Sequence, residues 1–236
     1  MNIEILENAG SVAERAAAII AERARAAVVA RSRFVMAVSG GHTPWLMLRA
    51  LATKDIPWRV VHVAQVDERV APAEHADRNL THLRESLLDH SPLPPEQVYE
   101  MPVESPDLDI AAAQYAATLA QIAGSPPLLD LVHLGLGPDG HTASLVPGDP
   151  VLDIEDADVA LTGPYQGRRR MTLTYSIINR SRSVLWVVTG GEKVSALNRL
   201  LSGDHSIPAG RIRSEQALIL ADQAAAQQLE ANTVGQ

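Results

Sequence analysis

The chain has 236 residues, 46% of them apolar, no cysteine and a formal charge of −8. This length and composition suit one domain with a sizeable core, and an acidic balance without a basic stripe argues against nucleic acid as the main partner. With no cysteine, disulfides, thiol nucleophiles and thiolate metal sites are excluded together, which fits a reducing, cytoplasmic setting.

In chain order, IEIL (3–6) reads as a short strand, with Glu4 and Glu7 where a secretory signal would need basic and then apolar residues. Residues 11–32 are rich in Ala, Glu and Arg and read as a long helix with Ser11 as N-cap. FVMAVSGG (34–41) is a strand running into glycines, followed by a helix over 43–52. VVHVAQVDER (60–69) predicts another strand, 77–89 a helix, 91–106 a proline-rich loop and 107–123 a further helix. The longest uncharged run, 110–129, contains Gln114, Gln121, Pro126 and Pro127, so no membrane span is expected. LLDLVHL (128–134) is an apolar strand, and RMTLTYSIIN (170–179) holds a short strand and a helical turn. SVLWVVTG (183–190) is a strand, 192–202 a helix, and ALILAD (217–222) a last strand before a C-terminal helix. Strand–helix alternation of this kind predicts an α/β fold: a single domain over 1–236, Rossmann-like, with a largely parallel sheet and helices on both faces.

In such folds ligands bind beyond the carboxyl ends of the strands. Four segments there are polar or glycine-rich: SGGHTP (39–44), DER (67–69), GPDGHT (137–142) and TGGEK (189–193). In the first, Thr43 suits an N-cap and Pro44 the first helical position, so Ser39, Gly40 and Gly41 form the bend before a helix. Free N–H groups at a positive helix end make an anion site, above all for phosphate. Ala37-x-Ser39-x-Gly41 also resembles a nucleophile elbow, but Pro44 places the helix start too late for one. Asp67 could move protons or orient a ligand, and Arg69 could meet phosphate or developing negative charge; a surface salt bridge is the plainer alternative.

Gly135-x-Gly137-x-x-Gly140 matches the dinucleotide fingerprint, yet Pro138, Pro147 and Pro150 deny it the long helix that motif must open. What remains is Asp139-Gly140-His141-Thr142. Imidazole in water titrates near ~6.5, which suits a residue that must take a proton from water at neutral pH. Asp139 could orient the His141 ring or bind hydroxyl groups. The other histidines read as incidental: His62 and His133 alternate with core positions, and His75, His82, His90 and His205 look solvent-facing. No histidine pair has metal-ligand spacing. Lys193 falls in the first turn of a helix, where a cation is unfavourable unless an anionic ligand joins it. Arg182, just before the strand 183–188, and Arg170, in RRRMTLT, are further basic candidates, although Arg168 and Arg169 suggest a solvated run.

SGGHTP, DER, GLGPDGHTASLVPG, RMTLT and TGGEK, in this order between 39 and 193, resemble the 6-phosphogluconolactonase family of the pentose phosphate pathway. GPDGHTASL is the most specific of these stretches. The resemblance implies a modified Rossmann-like sheet, no cofactor, no obligatory metal, and a small sugar-phosphate lactone as partner. It implies His141 as general base, Asp67 and Asp139 holding the imidazole and sugar hydroxyls, and Arg69 or backbone N–H groups at the oxyanion. The substrate phosphate would sit on Ser39, Gly40, Gly41 and Thr43, near Arg182 and Lys193. The related glucosamine-6-phosphate deaminases share the DGH but carry a glutamate five residues after the histidine, where this chain has Val146. An amino-sugar-phosphate isomerase or deaminase and a non-catalytic sugar-phosphate sensor stay as alternatives, and oligomeric state is not legible.

Overall fold

The computed structural model describes residues 1–233. The chain runs β1 (Asn2–Leu6), α1 (Ala9–Arg31), β2 (Phe34–Val38), α2 (His42–Ala52), β3 (Val61–Gln65), β4 (Asp67–Arg69) and α3 (Asn79–Ser86). It continues through β5 (Val98–Tyr99), α4 (Leu108–Ala123), β6 (Leu131–Leu134), β7 (Val159–Leu161), β8 (Arg170–Leu173) and α5 (Tyr175–Arg180). It closes with β9 (Val184–Val188), α6 (Val194–Leu201), β10 (Ala217–Asp222) and α7 (Gln223–Thr233). Seven strands form one all-parallel sheet in the order β1-β10-β9-β6-β2-β3-β5. The α/β architecture expected from the alternation is therefore present.

The central strands β2, β6 and β9 are buried on both faces because both faces of the sheet are covered. Along β2, Phe34, Met36 and Val38 pack with α1, α2 and α3, while Val35 and Ala37 enter the opposite core with α4, α6 and α7. Trp186 of β9 and Leu131 of β6 are fully buried between these layers. Chain order reverses between β2 and β6. From β2 the chain builds outward through β3 and β5, and from β6 it builds the other way through β9 and β10. This switch point opens a crevice at the strands' carboxyl ends, where such sheets take their ligands.

Three local expectations are corrected. Helix α1 starts at Ala9, because Asn8 Oδ1 accepts from Ser11 N (3.0 Å) and so serves as the N-cap in place of Ser11. Helix α2 starts at His42 with Gly41 as N-cap, so Thr43 and Pro44 lie inside the first turn. Pro44 is tolerated there because the first N–H groups of a helix have no partner in it. Most consequential, residues 60–69 do not form one strand. The chain leaves the large sheet at Val66, whose N–H donates to Val38 O (3.0 Å) and whose carbonyl accepts from Leu173 N (2.8 Å). Asp67–Arg69 then pair antiparallel with β8 in a separate sheet of order β4-β8-β7.

The turn-off is held by Glu68, which is fully buried. Its carboxylate accepts from Gln65 Nε2 and from the backbone N–H groups of Arg69, Asn79 and Leu80, each at 2.8 Å. Asn79 and Leu80 open α3, so this acid caps that helix from a distance in sequence and complements its positive end. Arg78 Nε, also buried, lies 3.2 Å away. Removing one partner of a buried charge network leaves the others uncompensated. Glu68→Ala is therefore expected to lower unfolding stability by about 3–5 kcal/mol; a chemical-denaturation loss under about 1 kcal/mol would show that the carboxylate does not hold the turn.

Candidate active site

The crevice is a cleft of about 810 Å³, lined by all four segments singled out in the sequence. That volume is within the usual range for a small-ligand site. Its floor is the turn after β6. Gly137 N donates to His141 O (2.8 Å) and Gly140 N to Gly137 O (3.0 Å), folding the chain so that His141 lies back over its own loop. Asp139 Oδ1 accepts from the ring Nδ1 of His141 at 2.6 Å and from its backbone N–H at 3.1 Å. A carboxylate can only accept, so Nδ1 carries the proton and Nε2 is left as the basic nitrogen. A Cβ at Gly137 would overlap both His141 Nδ1 and Asp139 Oδ1, so only glycine admits this pair. Burial acts to raise the Asp139 carboxyl, but the hydrogen bonds from the His141 ring and backbone and from Tyr165 outweigh it and hold the group below its ordinary value.

Asp139, not Asp67, meets the imidazole. Asp67 is buried, with Oδ2 accepting from Ser144 Oγ (2.6 Å) and Oδ1 facing Asn79 Nδ2 (3.3 Å), so it ties the Gly135–Gly148 loop to β4 and α3. Arg69 and Arg170 are register partners across β4 and β8 and both line the cleft. Arg170 is buried, not part of a solvated run, and burial together with the nearby Arg69 charge lowers its guanidinium from the ordinary value. Two cations set opposite one another are unfavourable unless an anion joins them. Arg168 also lines the cleft, its Nε 2.7 Å from Asp77 Oδ2.

Another part of the lining is the loop before α2. Gly40, Gly41 and Thr43 line the cleft at the positive end of that helix. Thr43 Oγ1 lies 2.6 Å from Thr189 Oγ1, which joins this loop to the one after β9. There Lys193 lines the cleft, half-buried, with its Nζ 3.6 Å from Glu192 Oε1. It closes a short 3-10 turn, Gly191–Lys193, and serves as the N-cap of α6 rather than lying inside the helix. Asp222 holds this loop by accepting from Gly190 N (3.0 Å) and Ala225 N (2.8 Å).

Three sequence expectations are corrected. Arg182 stands at the amino end of β9, at the far end of the sheet from the cleft. Its N–H donates to Leu129 O (2.8 Å) and its guanidinium lies 3.5 Å from Asp130. Ser39 borders the cleft, but both of its donors turn inward: N–H to His133 Nδ1 (3.2 Å) and Oγ to His133 O (3.1 Å). It anchors the loop without offering those donors to a ligand. His82, expected to face solvent, lines the cleft stacked on Trp45, ring centroids 4.0 Å apart. Val146 is buried and does not line the cleft. Among the described residues no group of three or more His, Cys, Asp or Glu side chains could hold a metal ion, and no helix is long and apolar enough to cross a membrane.

The family model for glucosamine-6-phosphate isomerases/6-phosphogluconolactonase matches residues 7–220. The chain belongs to this family. It is 36% identical over 235 residues to a 6-phosphogluconolactonase of Synechocystis, covering 96% of this chain and 98% of that protein. It is similar to the crystal structure of 6-phosphogluconolactonase from Thermotoga maritima, with TM-score 0.83 and 26% identity over 94% of this chain and 98% of that one. A monomeric glucosamine-6-phosphate deaminase shares the fold at TM-score 0.85 but only 17% identity, covering 96% of this chain and 99% of that one. Fold alone does not separate the two chemistries; the site must.

His133 supplies a test of how the loop before α2 is held. It is fully buried, and burial pushes its imidazole down to about 3. In the unfolded chain a histidine titrates near ~6.5, so below that pH the unfolded state takes up a proton that the folded state refuses. This contribution to stability is complete above pH ~6.5 and is lost as pH falls toward about 3. Denaturation at successive pH values is expected to show wild type losing up to about 1.4 kcal/mol per pH unit relative to His133→Leu in that window. Parallel profiles would contradict the assignment.

Proposed function

We propose that this protein hydrolyses 6-phospho-D-glucono-1,5-lactone to 6-phospho-D-gluconate, with His141 as general base. The observation that supports it most is the Asp139–His141 pair, 2.6 Å apart, in a cleft that combines an arginine pair with a separate anion site. The substrate phosphate rests at the amino end of α2, against Gly40, Gly41 and Thr43, with Lys193 beside it. The lactone carbonyl then lies toward His141 and the Arg69–Arg170 pair.

Nε2 of His141 takes a proton from a water as its oxygen forms a bond to C1. The carbonyl electron pair moves onto oxygen, and the arginine pair stabilises the resulting charge. As the oxyanion collapses, the C1–ring oxygen bond breaks and the imidazolium returns its proton to the ring oxygen. Asp139 fixes the ring orientation and supports the cation formed midway. A lactone is already an activated ester, so no covalent intermediate is needed. Deamination is less well supported, because Val146 is buried away from the cleft where that chemistry uses a glutamate, and valine moves no proton.

The test follows lactone loss against the spontaneous rate in buffer. Wild type should accelerate it strongly, and His141→Ala should lower kcat by about 10²–10⁴-fold while changing KM little. Lys193→Ala should instead raise KM by about 10–100-fold, as loss of a charge-assisted contact would, with kcat nearly kept. Equal turnover of unphosphorylated gluconolactone would overturn the phosphate assignment, and a near-normal kcat in His141→Ala would overturn the base.

A further inference from the structure

Asp139 orients the imidazole from an exposed position. Its side chain is 37% accessible on a surface turn, and only Oδ1 is engaged by His141. Water competes for the other oxygen, and a carboxylate held at one atom can swing. Tyr165 closes this gap. Its hydroxyl donates to Asp139 Oδ2 at 3.2 Å and lies 3.5 Å from His141 Nδ1, while its ring meets the imidazole edge-on at 5.4 Å and 63°. Tyr165 itself is fixed from two sides. Its backbone pairs with Arg168 in a tight turn (2.9 and 3.3 Å), and the Arg170 guanidinium lies over its ring, 4.9 Å from the centroid. Gln166, next along the turn, accepts from Arg170 Nη2 at 3.2 Å.

Resting on the lactonase reading above, we propose that Tyr165 is a positioning residue for the catalytic pair. It locks the second carboxylate oxygen of Asp139 and braces the His141 ring, so that Nε2 faces the water it must deprotonate. Tyr165 does not itself line the cleft, whereas Gln166, Arg168 and Arg170 around it do. It therefore acts through Asp139 and His141 and not on the substrate. Burial and the Asp139 charge raise the Tyr165 phenol above its ordinary value, which keeps the proton it donates. Arg170 in turn links this brace to the arginine pair, so the base and the oxyanion cations share one support.

The experiment compares wild type, Tyr165→Phe and Tyr165→Leu. Tyr165→Phe keeps the ring and loses the hydroxyl; kcat should fall about tenfold with KM within about twofold of wild type, the mark of a group that acts on the transition state alone. Its Tm should stay within about 3 °C, since the change removes one partly exposed hydrogen bond. Tyr165→Leu removes both supports, and kcat should fall further. In proton NMR, the His141 Nδ1–H signal should be sharp in wild type and broadened by exchange in Tyr165→Phe. An unchanged kcat and an unchanged Nδ1–H signal in Tyr165→Phe would overturn the proposal, as would equal losses in the Phe and Leu variants. A wild-type protein that fails to hydrolyse the lactone would strike the activity reading alone. The Nδ1–H comparison would then still decide whether Tyr165 positions the pair.

Discussion

The site depends on one hydrogen bond, from His141 Nδ1 to Asp139 Oδ1, formed within a single turn of chain. Two residues so close in sequence meet this way only if the backbone between them reverses and nothing occupies the space above Gly137. The surrounding structure secures that turn. Thr142 Oγ1 donates to Gly135 O (2.9 Å), and Ala209 N donates to Gly140 O (3.0 Å). Ser144 joins the turn to Asp67, and through Asp67 to α3. Gly137 is explained by the histidine it makes room for, and Gly140 by its left-handed φ of 84° and the Ile207 side chain packed against it.

Around that bond the fold gathers positive charge against an overall balance of −8. It does so with two separate devices. The large parallel sheet supplies a helix amino end beside Lys193, at the switch point where the two halves of the sheet diverge. The small antiparallel sheet supplies Arg69 and Arg170 in register. Their mutual repulsion is held in place by Glu68, whose buried carboxylate pins β4 to the start of α3. A molecule with an anionic end and a carbonyl that becomes anionic would relieve both strains at once.

The large sheet and its helices were legible because alternating apolar strands and capped helices leave a periodic trace. The small sheet was not. VVHVAQVDER is continuously strand-forming, and nothing in it marks Val66 as the point where the chain changes sheets; that depends on Glu68 finding the amino end of α3. The pairing of His141 with Asp139 was within reach, but its choice over Asp67 rested on Ser144, a contact across 77 positions. Arg182 could have been excluded from sequence, since a residue before a parallel strand stands at the end opposite the cleft. Tyr165 and His133 carried no local signal. One sits in an irregular loop, and the other looks like any apolar-strand residue until its neighbours are placed.

The most direct test replaces Asp139 with asparagine, which preserves shape while removing the charge that fixes the imidazole. The asparagine amide can donate to Nδ1 and so move the ring proton to Nε2, the nitrogen that must act as base. Steady-state hydrolysis of the phosphorylated lactone and calorimetric binding of 6-phosphogluconate would be measured on the same protein. With the imidazole no longer fixed in the Nδ1–H tautomer, kcat is expected to fall by about 10²–10⁴-fold with product affinity within about threefold of wild type. An Asp139→Asn protein that turns over at the wild-type rate would contradict this role of Asp139.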